Sequence, residues 1–199
     1  MMKITRMALL AGLLALVLPA YSRASVIDFE GYPDLTVFTT QDFGNGVTFS
    51  GAQILMLGGS LNPQFPPHSG VNVVYNPVGA MVLTFTNPVD FFSGYFTYNS
   101  GLVLTAYDSL NNVVATAIGA CSANYVGFGC GSPNEFLQVT AIGLISSVNI
   151  SGGGGNNFTL DDAEFTGSHN ANAVPEPVTM STMLIGLGSL ICYGRRKRS

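Results

Sequence analysis

The residues of this chain whose types and spacing could do chemistry are few: Asp161 and Asp162, Asp28 and Glu30, the adjacent His68 and Ser69, and the pair Cys121 and Cys130. The carboxylates stand in an unusual setting. Of the seven Lys and Arg, Lys3, Arg6 and Arg23 lie at the start and Arg195, Arg196, Lys197 and Arg198 at the end, so none falls between Ser25 and Gly194. All eleven Asp and Glu fall there. A carboxylate in this body therefore cannot pair with a lysine or arginine of its own domain. Three fates remain: solvation, hydrogen bonds from backbone amides, or coordination of a divalent cation, for which calcium is the hard, oxygen-seeking choice.

The same asymmetry excludes whole classes of function. The formal charge of −4 for the chain becomes 0 − 11 = −11 for the stretch between Ser25 and Gly194. Phosphate backbones need Lys or Arg to neutralise them, so nucleic acid is not a partner. Amine nucleophiles and Schiff bases need a lysine that is not there. The glycine run in SGGGGNNFTLDDAEF, Ser151 to Phe165, lacks the Gly-Lys-Ser/Thr that completes a phosphate cradle and reads as a flexible turn feeding a strand. His68 and Ser69 are neighbours in sequence, which says nothing about the spatial order a catalytic triad requires. A glycosidase needs two carboxylates across a cleft, and eleven candidates give no sorted pair. The reading is non-catalytic.

The elements that must position these residues are strands. Val, Ile, Leu, Phe and Tyr recur in short runs broken by Gly, Asn, Pro and Ser, and no 3.6-residue apolar stripe persists. Strands are predicted near 26–30, 47–57, 71–75, 81–86, 91–98, 102–108, 113–118, 136–141, 146–151 and 158–165, with LVLTAYDSLNNVVATAIG as the clearest hairpin. The fold class is all-β, an antiparallel, jelly-roll-like β-sandwich. In the last strand Phe158 and Leu160 share one face but Ala163 and Phe165 the other, so a one-residue bulge at Asp161-Asp162 is expected to return both pairs to the core. Cys121 and Cys130 flank SANYVGFG and are expected to form a disulfide outside the cytoplasm. The long loops LNPQFPPHSG and ACSANYVGFGCGSPNEF are where a ligand site is sought first.

Both ends look like addressing segments. Residues 1–24 combine a short basic start, an apolar run over Met7 to Ala20 and Ser22-Arg23-Ala24 as a small-x-small site, which reads as a signal peptide cut by signal peptidase before Ser25. At the other end Val174, Pro175, Glu176 and Pro177 precede an uncharged run over 178–194, which includes Cys192 and is long enough for a single transmembrane helix. Arg195, Arg196, Lys197 and Arg198 follow as a cytoplasmic stop. This order of motif, span and basic block resembles the PEP-CTERM sorting signal of Gram-negative surface proteins. The resemblance implies an exosortase-like partner and removal of the tail after a membrane-anchored stage, with the product at the cell surface or outside the cell. It covers 174–199 only. The domain is then 25–167, with a linker over 168–173.

The body itself resembles jelly-roll carbohydrate-binding modules, in many of which the first and last strands are neighbours holding a structural calcium. That likeness implies Asp28 or Glu30 joined with Asp161 or Asp162 at one ion, against the plainer reading of solvated edge carboxylates. Two functions follow as expectations. One is a structural or adhesive protein of an exopolysaccharide matrix. The other is a glycan- or calcium-binding, lectin-like module, with Tyr32, Tyr75, Tyr95, Tyr98, Tyr107 and Tyr125 as candidate platforms in a chain without Trp.

Overall fold

The computed structural model describes residues 24–43, 46–128, 130–152 and 158–166, with the backbone alone for 39–42. All of them belong to one compact unit, 21–169. Of the expected signal peptide, 1–24, only Ala24 is described, as the first residue of a strand and opposite Thr166, and the expected sorting tail lies outside the described residues. Among those that are described there is no helix, and hence none long and apolar enough to cross a membrane.

Nine strands make up the unit: β1 (Ala24–Ile27), β2 (Val37–Asp42), β3 (Val47–Met56), β4 (Asn72–Tyr75), β5 (Met81–Tyr98), β6 (Leu102–Tyr107), β7 (Val113–Ile118), β8 (Glu135–Gly152) and β9 (Phe158–Thr166). Every pairing between them is antiparallel. The order runs β1-β9-β4-β3-β5-β8-β6-β7, with β2 on β3 and a further pairing of β9 with β5. The pairings β5–β9, β9–β4, β4–β3 and β3–β5 thus close a ring around the core. The all-β, antiparallel expectation holds.

Alternation explains why these segments are strands. In β6, Leu102, Leu104 and Ala106 are buried and the residues between them are not, so one face packs and the other meets solvent. The core draws its aromatic content from several strands. Phe29 meets Phe49 at 5.8 Å and 90°, and Phe43 meets Phe49 at 4.9 Å and 74°, edge-to-face geometries that the ring quadrupoles favour.

The structure departs from the sequence reading in three places. β2 was not expected. The segments 81–86 and 91–98 are one strand, β5, and 136–141 and 146–151 are likewise one strand, β8. Asn87-Pro88 and Gly143 signal turns, but the chain on both sides keeps the same partner, so each becomes an irregularity within a continuing pair. The register jumps between Thr84 and Val89 and again between Val89 and Phe91, and Asn87 and Pro88 stand exposed there. Gly143, at φ +65°, donates its amide to Asp90 at 2.7 Å.

The predicted bulge in β9 is present. Ser93 pairs with Glu164 and Tyr95 with Asp161, so two steps on β5 oppose three on β9. Asp162 takes the left-handed conformation, φ +45°, and Phe158, Leu160, Ala163 and Phe165 are all buried. The hairpin β6–β7 is also as predicted. Its turn is held by Asp108, whose Oδ1 accepts from the Leu110 and Asn112 amides at 2.8 and 2.9 Å.

Candidate functional site

Two long loops meet at one end of the sheet, 57–71 and 119–134, and each is braced before it meets the other. The first is held by carboxylates. Asp34 Oδ1 accepts from the Met56 amide at 2.9 Å and its Oδ2 from the Ser60 amide at 2.9 Å. Glu30 Oε1 accepts from the amides of Val71 and Asn72 at 3.0 and 2.8 Å. Between these anchors Asp161 Oδ2 accepts from the amides of His68 and Ser69 at 2.7 and 2.9 Å, while its Oδ1 takes the Asp162 amide at 2.8 Å. Asp162 holds the two side chains themselves: His68 Nδ1 lies 2.7 Å from Oδ2, and Ser69 Oγ donates to Oδ1 at 2.9 Å. The His68 ring then stacks on Tyr95, centroids 3.4 Å apart and 6° from parallel.

The second loop is fixed to the end of β5. Asn124 is buried and acts as a strand partner: its Oδ1 accepts from the Tyr98 amide at 2.7 Å and its Nδ2 donates to the Phe96 carbonyl at 2.9 Å. The Tyr98 hydroxyl bonds Glu135, whose other oxygen accepts from the Ala120 amide at 2.9 Å. Burial, and then the Glu135 carboxylate, push the Tyr98 phenol up to about 12. The expected disulfide between Cys121 and Cys130 closes the loop, with Cα atoms 5.8 Å apart. A bridge over so short a loop contributes roughly 2–3 kcal/mol by restricting the unfolded chain.

The braced loops then join. The Val126 amide donates to the Gln64 carbonyl at 2.9 Å and Gln64 Nε2 donates to the Val126 carbonyl at 3.3 Å. Beside that junction Phe65 and Tyr125 lie nearly parallel, 13° between planes with centroids 6.0 Å apart. They line an open pocket of about 470 Å³ together with Asn62, Gln64, Asn99 and Ser100. The Ser100 hydroxyl is buried and has no hydrogen-bond partner among the described residues. Flat aromatic faces, side-chain amides and no charge make a surface that suits a neutral molecule with apolar faces and hydroxyl edges.

The expected ion ligands are brought to one region but not to one point. β1 and β9 are neighbours as predicted, with Ile27 opposite Ala163. Yet Glu30 serves the 71–72 end of the first loop and Asp161 the 68–69 stretch, while Asp28 Oδ1 accepts from the Glu30 amide at 3.2 Å. Among the described residues no group of three or more His, Cys, Asp or Glu is placed to hold a metal ion. One atom fits an ion nonetheless. Asn72 Oδ1, whose backbone amide already donates to Glu30, is buried without a hydrogen-bond partner among the described residues.

His68 and Ser69 do not form catalytic machinery. In a nucleophilic triad the imidazole stands between hydroxyl and carboxylate. Here Asp162 stands between the other two, so the Ser69 proton goes to a carboxylate and the imidazole anchors a loop. Val174, Pro175, Glu176, Pro177, Arg195, Arg196, Lys197 and Arg198 lie outside the described residues. Both loops singled out in the sequence contribute to the pocket, through Asn62, Gln64 and Phe65 from one and Tyr125 from the other. Asn99 and Ser100 were missed. They looked like an ordinary Asn-Ser-Gly turn, and only the folding-over of the loops makes them part of a wall.

No family model and no curated protein matches the chain. Solved structures similar to it include the K2 cleaved adhesin domain of Lys-gingipain, with TM-score 0.45, 14% identity, and coverage of 72% of this chain and 99% of that one. The K1 adhesin domain of Lys-gingipain from Porphyromonas gingivalis W83 gives 0.41 and 13%, covering 72% and 97%. A family 6 carbohydrate-binding module gives 0.35 and 14%, covering 72% and 94%. Likenesses of this size identify neither a family nor a ligand for this chain, whose function has to be read from its own residues.

The carboxylates set the pH response. Burial, and to a lesser degree the neighbouring Asp162, raise Asp161 from 3.8 to about 6, against the pull of its three amide donors. The folded protein then binds more protons than the unfolded chain between those values, so stability falls as pH rises through about 6. Asp34 and Asp108 are shifted downward, Asp34 by the Ser60 hydroxyl and Asp108 by Asn112, and their contribution is lost below 3.8. The melting temperature in EDTA is therefore expected to peak between these limits and to drop by roughly 3–8 °C from about pH 5 to about pH 7.5. A melting temperature that climbs steadily toward alkaline pH would contradict this.

Proposed function

We propose that this chain is an exported, non-catalytic surface or matrix protein whose adhesive act is to bind a neutral glycan in the pocket between the 57–71 and 119–134 loops. The observation that carries the reading is the Phe65–Tyr125 pair set beside Asn62, Gln64, Asn99 and the unpartnered Ser100 hydroxyl. Sugar rings stack their C–H faces on aromatic planes, and their hydroxyls both donate to and accept from amide side chains. The bracing of both loops supports it further, because a pocket ordered before its ligand arrives loses less entropy on binding. The likeness to carbohydrate-binding and adhesin domains agrees with the reading without carrying it.

Delivery belongs to the two ends. The PEP-CTERM-like tail would hold the chain in the inner membrane until an exosortase-like enzyme releases it, with signal peptidase acting first. Exopolysaccharide is the ligand such a destination offers.

Calcium gives a second reading, favoured by the orphaned Oδ1 of Asn72, a residue whose backbone amide donates to Glu30. An amide oxygen and a carboxylate are hard donors of the type calcium takes, and Glu30 and Asn72 would hold it between β1 and β4, with Asp161, Asp162 and Asp28 near by. The ion would lock the first loop and would not take part in any reaction.

Three outcomes are expected. In calorimetric titrations with neutral hexose and pentose oligosaccharides at least one binds, and Tyr125→Ala weakens it by about tenfold or more while the melting temperature holds. If no oligosaccharide binds, or Tyr125→Ala binds as well as the parent, the pocket is not the site. Calcium raises the melting temperature of the parent and not of Glu30→Gln; absence of both heat and shift ends the ion reading. Mass spectrometry of protein from cells and medium finds a chain that starts at Ser25 and lacks Arg195 to Arg198, whereas an intact basic terminus would mean a permanent anchor.

A further inference from the structure

The solvent side of β8, β5, β9 and β1 carries a second set of groups, none of which lines the loop pocket. Strand alternation places Phe91, Ser93 and Tyr95 on this side, opposite the buried Phe92 and Phe96. Register then builds two rows across the sheet. Phe136 on β8 faces Tyr95 on β5, and Tyr95 carries the His68 ring. The next row runs Gln138, Ser93, Glu164, Val26 from β8 to β1.

The first row is an aromatic ladder. Phe136 lies 5.4 Å from Tyr95 and is 49% exposed, and His68 covers the other part of the tyrosine. The second row is a set of unsatisfied acceptors. The Glu164 backbone is paired on both sides, but its carboxylate has neither hydrogen bond nor ion pair among the described residues. Gln138 spends its Nε2 on Thr140 Oγ1 at 2.9 Å, which leaves its carbonyl oxygen. Ser93 is 1% exposed, yet its hydroxyl has no hydrogen-bond partner among the described residues. A hydroxyl left so is unfavourable, and a polar group that reached it as the side chains covering it turned aside would relieve the deficit.

We propose that this sheet face is a second binding surface, for an ammonium-bearing polysaccharide such as a run of deacetylated glucosamine units. The occupant must present hydrogen-bond donors, because the row presents acceptors. It should be cationic, because the Glu164 side chain is a carboxylate without a partner among the described residues, and no Lys or Arg falls between Ser25 and Gly194 to compete for it. A flat sugar ring fits the exposed face of Phe136 at the end of this ladder, and that face also attracts an ammonium group. A lysine-rich peptide would satisfy the charges but would leave the ladder without flat partners.

The test is a calorimetric titration of the full chain with glucosamine hexamer, N-acetylglucosamine hexamer and hexalysine. Glucosamine hexamer is expected to bind best and to weaken about tenfold or more as salt is raised. Glu164→Gln should lose roughly three- to tenfold, Phe136→Ala a similar factor, and both variants should keep the parent melting temperature. Tyr125→Ala in the loop pocket should leave this binding unchanged, which separates its failure from that of the neutral-glycan reading. Equal binding of the acetylated hexamer, tighter binding of hexalysine, an unaltered Glu164→Gln titration, or no binding of the glucosamine hexamer would each overturn the proposal.

Discussion

With no lysine or arginine between Ser25 and Gly194, the carboxylates of that stretch must be satisfied in some other way, and here the backbone amide does it. Asp34, Glu30, Asp90, Asp108, Glu135 and Asp161 each accept from at least one main-chain N–H. An amide offers only a partial positive charge, but it sits at a fixed place and needs no long side chain to be ordered. Each such bond therefore fixes a piece of loop. The acidic residues act less as surface charge than as staples that decide where the connections between strands lie.

The staples reach far along the sequence. Glu30 fixes residues 71 and 72, and Asp161 fixes 68 and 69, so the first loop is tied from both β1's end and β9. The bulge in β9 makes the second tie possible. By adding one residue it keeps Phe158, Leu160, Ala163 and Phe165 in the core and turns Asp161 and Asp162 together toward the loop. Phase correction and loop anchoring are thus one event in the chain. Folding of the strands and placement of the pocket wall are coupled through it.

Much of this was legible in the sequence because it rests on local rules. The all-β class, the β6–β7 hairpin, the β9 bulge and the pairing of Cys121 with Cys130 follow from alternation, turn residues and cysteine spacing, whereas the neighbouring of β1 and β9 was implied by a resemblance alone. Both of the long loops line the pocket, through Asn62, Gln64 and Phe65 from one and Tyr125 from the other. What could not be read was anything fixed by long-range register. Asn87-Pro88 and Gly143 carry real turn signals, and only the continued pairing of β5 with β8 on both sides converts them into bulges. Tyr98 looked like the other tyrosines, but its ring is fully buried and its hydroxyl serves Glu135. His68 looked like an idle loop residue until Asp162 and Tyr95 enclosed it. Ser93 and Ser100 could not be singled out in the sequence, because what sets them apart is a buried hydroxyl without a hydrogen-bond partner among the described residues.

Asn124 shows where this arrangement leads. By borrowing the hydrogen bonds of a missing strand at the end of β5, and with the disulfide a few residues away, it makes the rim of the pocket as firm as the sheet below. A visitor lodging against Tyr125 thus meets a wall already set, with little rearrangement left to slow its entry or its departure. Under the glycan-binding reading proposed above, many copies of such a wall set along one polymer would add their separate grips into one hold.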